Sequence, residues 1–449
     1  MTARQRNDRL REAIAASGLG YDGVARAVVR IAAENGEALQ TNKSAVAHWV
    51  NGVRPNKRTA AYLAEALTRR AGRPVTLAQL GLGSDTGPVL AGSDPVGTAS
   101  LLGRADMDHR EFLAAAVYSS GDVVMPLEYD HEPVARLVLA RAGLVRVGPE
   151  EIAVVRQITK VFGVADERLG GGHGLSTVAA YLADTAAPIL SGRYTDDRTR
   201  RDAFGAVAEL AWLLGWKHHD LGEEGAAQKY YLLGFQLAAE ADPNAHAAWM
   251  MRAVAHQALS LKQPRNCLDL VEGALSRAAG YVDGATEALL RITHARAYAA
   301  LGEKRKAARA LLDAEDALGR DDGPQPSYSL LMGPAAGTVD SHTARTLTEI
   351  GDHAGTEKRH RAAFASWDPA AFPRVHLLTH MDLGDSLAAQ GRADEAIASW
   401  SRALDMAEGM ASVRSTSALA SVRSALAMYR RRGVPGAALL ERRIRDASL

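Results

Sequence analysis

The feature that most constrains this chain is a recurring pattern of two helices separated by a short turn, which fills residues 201–449. Equivalent turns fall 40, 40, 49, 40 and 42 residues apart, at Gly222, Lys262, Gly302, Gly351, Gly391 and Gly433. Each pair of helices has an apolar face that it cannot bury alone, so neighbouring pairs must stack on one another. The pattern therefore predicts an α-solenoid for this part of the chain.

The clearest unit of the pattern is LLTHMDLGDSLAAQGRADEAIASWSRALDMAE. Its small and aromatic residues stand at the offsets of a tetratricopeptide repeat, namely Leu383, Gly384, Leu387, Gly391, Ala396, Trp400 and Ala403. The unit resembles that family, but the turns are further apart than the ~34 residues of the standard repeat, which indicates degenerate repeats. A second interpretation stays open, in which small residues such as Ala307 simply let helical hairpins pack closely.

Composition agrees with an all-α fold. The chain is rich in alanine and leucine, with 47% apolar and only 5% aromatic residues, and such a composition favours helices. Its one cysteine, Cys267, cannot form an internal disulfide, and MTARQRNDRL lacks the apolar centre of a signal peptide, so we expect a cytoplasmic protein. No uncharged apolar stretch approaches the ~20 residues of a membrane helix, so we expect no membrane contact.

Charge is distributed unevenly along the chain. Residues 1–75 contain thirteen Lys and Arg against six Asp and Glu, which gives a net charge of +7. The other residues contain 40 basic and 46 acidic side chains, which gives a net charge of −6. A basic N-terminal part followed by a mildly acidic body indicates a polyanionic partner for the N-terminal part alone.

Four short helices are predicted in this basic part, over Leu10–Ser17, Asp22–Asn35, 43–51 and Arg58–Ala71. The third helix, KSAVAHWVN, is capped by Thr41 or Asn42 and closed by Asn51-Gly52. Its predicted buried side consists of Val46, Trp49 and Val50. The opposite side carries small and polar residues that can approach base edges in a major groove, namely Lys43, Ser44, Ala45, Ala47, His48 and Asn51.

The string KSAVAHWVNGVRPNKRTAAYLAEAL resembles the recognition-helix region of phage-repressor-like helix-turn-helix domains of the xenobiotic-response-element type. The resemblance implies that Lys43, Ser44, Ala47 and His48 face DNA and that Arg54, Lys57 and Arg58 lie near phosphates. We add Asn51 to the DNA-binding residues because it is on the same outward side. One feature differs, because GEALQT joins the second and third helices where those domains have a tight turn. The alternative, a basic helical cluster that binds no nucleic acid, stays open.

The order of the segments predicts four parts. We expect a helix-turn-helix domain at 1–80, a flexible linker at 81–107, a helical connecting domain at 108–200 and the solenoid at 201–449. The linker is predicted because GLGSDTGPVLAGSDPVGTASLLGRADM is dense in Gly, Ser, Asp and Pro and has no apolar period.

A second resemblance covers nearly the whole chain. Its order of segments is similar to that of the actinobacterial, Streptomyces-type regulators of development and secondary metabolism. The strings RLGGGHGLSTVAAYL and RDAFGAVAELAWLLGWKHHDLG are the most characteristic of these regulators. The order of domains is also similar to that of peptide-sensing regulators of Gram-positive bacteria.

No motif predicts catalysis, so we expect no enzyme, no catalytic residue, no cofactor and no metal. The chain has no GxxxxGK[ST] loop for ATP. The glycine run that ends in His173 favours a turn and a helix N-cap over a phosphate cradle. His218 and His219 are adjacent on a helix and point about 100° apart, so they cannot meet on one ion. His376 and His380 have helical spacing, but no cysteine partner and no HExxH pattern accompanies either pair of histidines.

The first helix of each predicted pair should line the concave surface of the solenoid. Its inward positions are Trp212, Trp216, His219, Trp249, Arg252, His256, Arg296, Arg345, Asp385 and Arg423. Tryptophans offer flat apolar contact and arginines bind carboxylates or phosphates, a mixture suited to a peptide or an acidic small molecule. The alternative is that the tryptophans fill the core and the arginines are solvated.

Together these patterns favour a transcriptional regulator that binds double-stranded DNA in a sequence-specific manner. Its solenoid is expected to form a homodimer and to bind a small-molecule, peptide or protein effector. We expect the dimer contact in the C-terminal helices, at Leu419, Val422, Leu426, Tyr429, Leu439 and Leu440. The alternative is a tetratricopeptide-type interaction scaffold whose N-terminal domain docks protein rather than DNA.

Overall fold

Helices make up 74% of the residues that the computed structural model describes, and strands are almost absent from them. The described residues are 6–35, 37–83, 94–108, 116–124, 126, 146–320 and 322–447. The all-α prediction is confirmed at this level.

The N-terminal part contains four helices close to their predicted bounds. They are α1 (Asp8–Ala16), α2 (Tyr21–Glu34), α3 (Lys43–Val50) and α4 (Lys57–Ala71). The side chain of Asn42 caps α3 by accepting a hydrogen bond of 3.0 Å from the backbone N–H of Ala45. Asn56 caps α4 in the same way, accepting from Thr59 at 2.7 Å.

One apolar core holds these four helices together. Val46, Trp49 and Val50 are its contributions from α3, and all three are buried as the spacing predicts. The other helices supply Leu10, Ile14, Val24, Val28, Ile31, Tyr62, Leu63 and Leu67, and Leu80 joins them from the following turn. We refer to the described residues of 6–83 as the head, and to residues 94–108 together with the described residues from 146 onward as the body.

Helix α5 (Pro95–Asp108) lies within the predicted linker. Its Val96, Ala99 and Leu102 are buried in the body core, so residues 95–107 differ from the expected flexible segment. A Cβ at Gly103 would stand 2.8 Å from the backbone oxygen of Ala179, and this small residue allows α5 to lie close to the body. The part of the predicted linker at 84–93 lies outside the described residues.

Residues 116–124 lie between the head and the body and contact both. The backbone N–H of Ser120 donates to the carboxylate of Glu65 in α4 at 3.0 Å. Ser119 exchanges two backbone hydrogen bonds with the Gln228 side chain of the body, at 2.8 and 2.7 Å. This short segment, which we call the bridge, therefore joins the two parts through buried polar contacts.

The body begins with helices of irregular arrangement. These are α6 (Pro149–Leu169), α7 (Leu175–Tyr181), a π-helical turn (Leu182–Ala186) and α8 (Ala187–Ile189). Strands β1 (Arg146–Val147) and β2 (Arg193–Tyr194) form one short parallel pair, in which Arg146 lies opposite Arg193.

Successive helices from residue 197 onward pack as pairs. The first three pairs are α9 (Asp197–Asp220) with α10 (Glu224–Ala241), α11 (Ala245–Ser260) with α12 (Pro264–Ala278), and α13 (Gly284–Ala300) with α14 (Lys304–Leu318). After the short α15 (Ser327–Leu330) come α16 (Ala335–Ile350) with α17 (His353–Ser366) and α18 (Pro373–Ala389) with α19 (Ala393–Met406). Helix α20 (Val413–Ser421) precedes the last pair, α21 (Arg423–Arg431) with α22 (Ala437–Asp446).

All six turns named from the sequence lie between the helices of such a pair. Each turn residue has a positive φ, with values of 74°, 57°, 77°, 92°, 78° and 72° at Gly222, Lys262, Gly302, Gly351, Gly391 and Gly433. Lys262 is the one non-glycine with a positive φ among the described residues. The turn at Lys262 thus has the same left-handed conformation as the other five turns, although this conformation favours glycine.

The body has two apolar cores. One core runs from α5 to α16, and the other joins α18, α19 and the C-terminal helices. Most of the predicted dimer residues belong to the second core, because Leu419, Val422, Leu426, Tyr429 and Leu440 are buried within the chain. Of the six, Leu439 is the exposed one. Those five side chains are therefore unavailable for contact with a second copy.

A search of the described helices for a membrane-spanning candidate finds none that has both the length and the apolar character required.

The turn at Lys262 yields a stability prediction. Lys262→Gly should raise the free energy of unfolding by about 0.5 to 1 kcal/mol, because glycine relieves the left-handed strain at some entropic cost in the unfolded chain. Gly302→Ala, at the matching position of the next pair and with no neighbouring atom within 4 Å, should lower it by about 1 kcal/mol. Urea unfolding followed by circular dichroism measures both. Shifts of the same sign would contradict the assignment.

Candidate functional site

The first candidate site is the outward side of α3. Lys43, Ser44 and His48 are exposed there, and Ala47 is half-buried beside them. Asn51, which follows the helix, is exposed as well. The structure therefore brings the predicted DNA-facing residues onto one side of a helix whose other side is buried.

The three predicted phosphate contacts differ in their surroundings. Arg54 and Lys57 are exposed and form no ion pair with any described residue. Arg58 is half-buried, and its Nε lies 2.8 Å from the hydroxyl of Tyr62 and 3.0 Å from a carboxylate oxygen of Glu37. Glu37 belongs to the long GEALQT connection, so Arg58 holds that connection against α4. We therefore regard Arg54 and Lys57 as the free cations beside α3.

The second candidate site is a cavity of about 430 Å³ in the body. Helix α6 forms one wall, and α9, α11, α16 and α18 form the others, with α15 and the start of α20 at its border. Drug-sized ligands occupy cavities of roughly 300–1,000 Å³, so the volume suits a small organic molecule.

Two tryptophans of α9 form an aromatic wall of the cavity. The rings of Trp212 and Trp216 are nearly parallel, with centroids 5.8 Å apart. The guanidinium carbons of Arg414 and Arg374 lie 5.0 and 5.7 Å from the Trp216 ring, within the range of cation–π attraction. Trp367 and Phe372, from the turn before α18, contribute further rings to the lining.

Two buried histidines also line the cavity. The rings of His256 and His342 stack with centroids 5.6 Å apart. Burial, helped by the nearby charge of Arg296, lowers the pKa of both imidazoles well below the usual value. Both rings are therefore neutral at pH 7, and each can offer one donor and one acceptor. The buried Nδ1 of His342 has no hydrogen-bond partner among the described residues.

A buried cluster of charges closes one end of the cavity. Arg374 reaches Asp166 at 2.5 Å, Glu167 at 2.9 Å and Asp220 at 3.1 Å. Lys217 adds a second contact to Asp166 at 3.1 Å. Burial alone would lower the pKa of Arg374, but the three carboxylates raise it above its usual value, so the guanidinium stays charged. This cluster joins α6, α9 and α18.

The glycine run that follows α6 allows the charge cluster to close the end of the cavity, because it lets the backbone there lie close to neighbouring segments. A Cβ at Gly170 would lie 2.2 Å from the backbone oxygen of Ala411, and one at Gly171 would lie 2.4 Å from that of Lys217. The backbone N–H of Gly171 donates to Asp220 at 2.9 Å. The backbone of the glycine run thus lies very close to other backbone segments. The N–H of Gly171 donates to a carboxylate of the chain itself.

The structure brings four of the ten predicted concave residues to the cavity. Trp212, Trp216, His256 and Arg345 are part of its lining. His219 lies behind them, where its ring packs against Trp216 and its Nδ1 hydrogen bonds with Glu224 at 2.9 Å.

The remaining predictions lie elsewhere in the body. Trp249 is buried in the core, and Arg252 stacks on its ring at 5.0 Å while donating to the backbone oxygen of Leu289 at 2.7 Å. Burial lowers the pKa of Arg296 to about 10, and this half-buried side chain does not line the cavity. Asp385 accepts a hydrogen bond from Trp400 at 3.1 Å, and Arg423 is exposed.

Sequence reasoning missed a second set of cavity residues, namely Arg156, Lys160, Asp166, Glu167, His342, Arg374 and Arg414. Many of them come from α6, which lies outside the repeat pattern, or from the start of α18 and α20. The alternation of charged and apolar residues in VVRQITKVFGVADERLGGGHG was the available signal, because it places charges on a helix that ends in an unusual glycine run.

Other residues that were considered for chemistry have structural contacts. His218 lies between Asp106 at 3.0 Å and Glu223 at 2.6 Å. Cys267 is buried in the core, and burial raises the pKa of its thiol to about 12. Within the described parts of the chain, no group of three or more His, Cys, Asp or Glu could hold a metal ion.

Comparison with known proteins gives a match over the head. The family described as the SP15 N-terminal domain matches residues 10–83. A crystal structure of BtubC (BKLC) from P. vanneervenii is similar to part of the chain, with 19% sequence identity and a TM-score of 0.33. That similarity covers 54% of this chain and 90% of BtubC. No curated protein matches the chain.

The charge cluster yields a stability prediction for the body. Arg374→Met should lower the free energy of unfolding by about 3 to 5 kcal/mol, because it leaves buried carboxylates without their cation. The matched control is Arg392→Met just before α19, a surface arginine whose ion pairs with the half-buried Glu357 and the exposed Glu395 should contribute little. Urea unfolding of both variants measures the difference. Equal stability of the two variants would contradict the role given to Arg374.

Proposed function

We propose that this chain is a sequence-specific DNA-binding transcriptional regulator. In this proposal the head reads double-stranded DNA as a helix-turn-helix domain, and the helical pairs of the body act as a degenerate tetratricopeptide-like solenoid that binds an effector. The proposal extends to membership of the actinobacterial regulators that the sequence resembles.

The observation that carries the proposal is the outward side of α3. The helix has 8 residues and is therefore about 12 Å long, close to the ~12 Å width of a major groove. Lys43 and Ala47 lie about one turn apart on this side, as do Ser44 and His48, so the small Ser44 and Ala47 stand between the two larger side chains. A surface of this kind lets a helix approach base edges closely, while the bulky Trp49 points into the core.

Charge beside α3 supports the same function. Arg54 and Lys57 are exposed, unpaired within the described residues, and placed where the chain leaves α3 and enters α4. Free cations of this kind neutralise phosphates, and the counterions they displace make DNA binding strongly dependent on salt. The family match over 10–83 spans nearly the same residues as the head, which supports treating the head as one unit.

Contacts between the cavity and the head give the effector a route to the DNA-binding part. His219, behind the cavity wall, bonds with Glu224 at the start of α10. One turn later Gln228 binds Ser119 of the bridge, and the adjacent residue of the bridge binds the buried Glu65 of the head. A ligand that favours one arrangement of these contacts would change how the head is held.

Reading a promoter also favours a dimer. A single short recognition helix covers few base pairs, so such readers are commonly duplicated about a two-fold axis. We propose that the body forms this contact, because it offers the larger surface.

The DNA prediction uses a genomic fragment that the purified chain enriches from sheared DNA. Lys43→Ala with His48→Ala should weaken binding to that fragment by about 1 to 3 kcal/mol per lost base contact and leave binding to random DNA nearly unchanged. Arg54→Ala should weaken both equally and flatten the salt dependence by about one unit of log–log slope. Fluorescence anisotropy over a range of salt concentrations measures these effects.

The control for these variants is Arg309→Ala, an exposed arginine on α14 of the body that should leave DNA binding unchanged. Equal losses on enriched and random DNA for the Lys43 and His48 pair would reject α3 as the reading surface. If no fragment is enriched at all, the head is better explained as a protein-docking module of a scaffold.

Dimerisation has its own test. Light scattering at micromolar concentration should give twice the chain mass of 47.7 kDa for the full chain. A fragment starting at residue 94, which keeps α5 in the body core, should also be a dimer. A dimeric full chain with a monomeric fragment would move the contact into the head, and a monomeric full chain would exclude it.

A further inference from the structure

The charged side chains that line the cavity in the body include more cations than carboxylates. Three of the cations, Arg156, Arg345 and Arg374, also pair with carboxylates outside the lining. The charged lining of the cavity consists of Arg156, Lys160, Arg345, Arg374 and Arg414 against Asp166, Glu167 and Glu209. Every one of these carboxylates already contacts an arginine of the lining, since Glu209 lies 3.1 Å from Arg156 and the other two contact Arg374. Each carboxylate of the lining is therefore paired with a cation, although the buried Oε2 of Glu167 has no hydrogen-bond partner among the described residues.

Two of the cations have no carboxylate within 4 Å among the described residues, although the charge of Asp220 acts on one of them, Arg414. Lys160 is exposed and is part of the lining. Arg414 is half-buried, and its guanidinium faces the ring of Trp216 at 5.0 Å. A partly buried guanidinium binds planar anionic groups well, because its fixed fork of N–H donors matches two oxygens at once. The guanidinium N–H groups of Arg414 are therefore suited to bind an anion.

The rest of the lining suits a flat apolar body rather than a sugar or an extended peptide. Rings come from two separate elements, Trp212 and Trp216 on α9 and Trp367 and Phe372 before α18. The neutral rings of His256 and His342 add hydrogen-bonding atoms beside them, including the unpartnered Nδ1 of His342. Offset stacking on such rings favours aromatic ligands.

We propose that this cavity binds a small planar aromatic molecule that carries one acidic group, with the ring system against the tryptophans and the acid on Arg414. Only the statement that this ligand is the effector rests on the proposed function. Binding of the ligand to the cavity does not depend on DNA binding. The shared chemistry covers carboxylates, sulfonates and phosphates.

The experiment uses two fluorescent probes of nearly the same skeleton on the full chain. Anilinonaphthalene sulfonate carries an acidic group, and phenylnaphthylamine lacks it. We expect one sulfonate probe per chain, with energy transfer from tryptophan, and binding of the neutral probe that is weaker by about tenfold or more, which is the worth of one charge-assisted contact. Equal affinity for the two probes would overturn the proposal, as would no binding of the sulfonate.

Variants then locate the probe. Arg414→Gln should weaken binding of the sulfonate probe by about tenfold and leave the neutral probe unchanged. Lys160→Gln, at an exposed position that cannot disturb the core, should weaken the sulfonate probe by a smaller factor, and Arg309→Gln is the matched surface control. Circular dichroism checks that each variant is folded. If the Arg414→Gln variant is not folded, the affinity of the Lys160→Gln variant for the sulfonate probe tests the proposal. Unchanged affinity in the folded variants would place the probe elsewhere and overturn the proposal.

The outcome is separable from that of the proposed function. Probe binding is measured without DNA, and enrichment of genomic fragments is measured without the probe. Failure of the probe with intact DNA enrichment rejects this ligand class alone. Failure of enrichment with intact probe binding rejects the regulator and leaves the cavity assignment standing.

Discussion

Arg374 carries the contact on which the arrangement of the body depends, because its buried guanidinium joins carboxylates of α6 and α9 to the start of α18. Asp166 and Arg374 are 208 residues apart in the chain. A buried ion pair is a weak source of net stability, since desolvation offsets much of its attraction, but it disfavours any arrangement that separates its members. The contact therefore fixes how the irregular start of the body meets its later helical pairs.

The cavity follows from this closure. Without α6 the inner sides of α9, α16 and α18 would face solvent, and the rings of Trp212 and Trp216 would line an open surface. With α6 in place they form one wall of a partly open cavity, while its other walls carry arginines and neutral histidines. The glycine run at the end of α6 makes the closure possible, because any side chain at Gly170 would collide with the backbone of Ala411.

Sequence predicted the parts of the structure that short-range rules govern. The six turns, including the unusual Lys262, follow from local spacing, and the buried side of α3 follows from helical periodicity. These local rules failed where contacts between residues far apart in the sequence determine the structure. Residues 95–107 look like a linker, yet small residues such as Gly103 let them form a helix packed on the body. Only four of the ten predicted concave residues line the cavity, because its shape depends on α6, which no repeat pattern describes.

The central claim is that the head reads DNA sequence, and selection of sheared genomic DNA by the purified full chain tests it most directly. The enriched fragments would be sequenced and footprinted with increasing salt. Our account predicts a shared short sequence, protected over its whole length, whose affinity falls steeply with salt and exceeds that for random DNA by about 10³-fold or more. Enrichment of no common sequence, with equal weak affinity for every fragment, would contradict it.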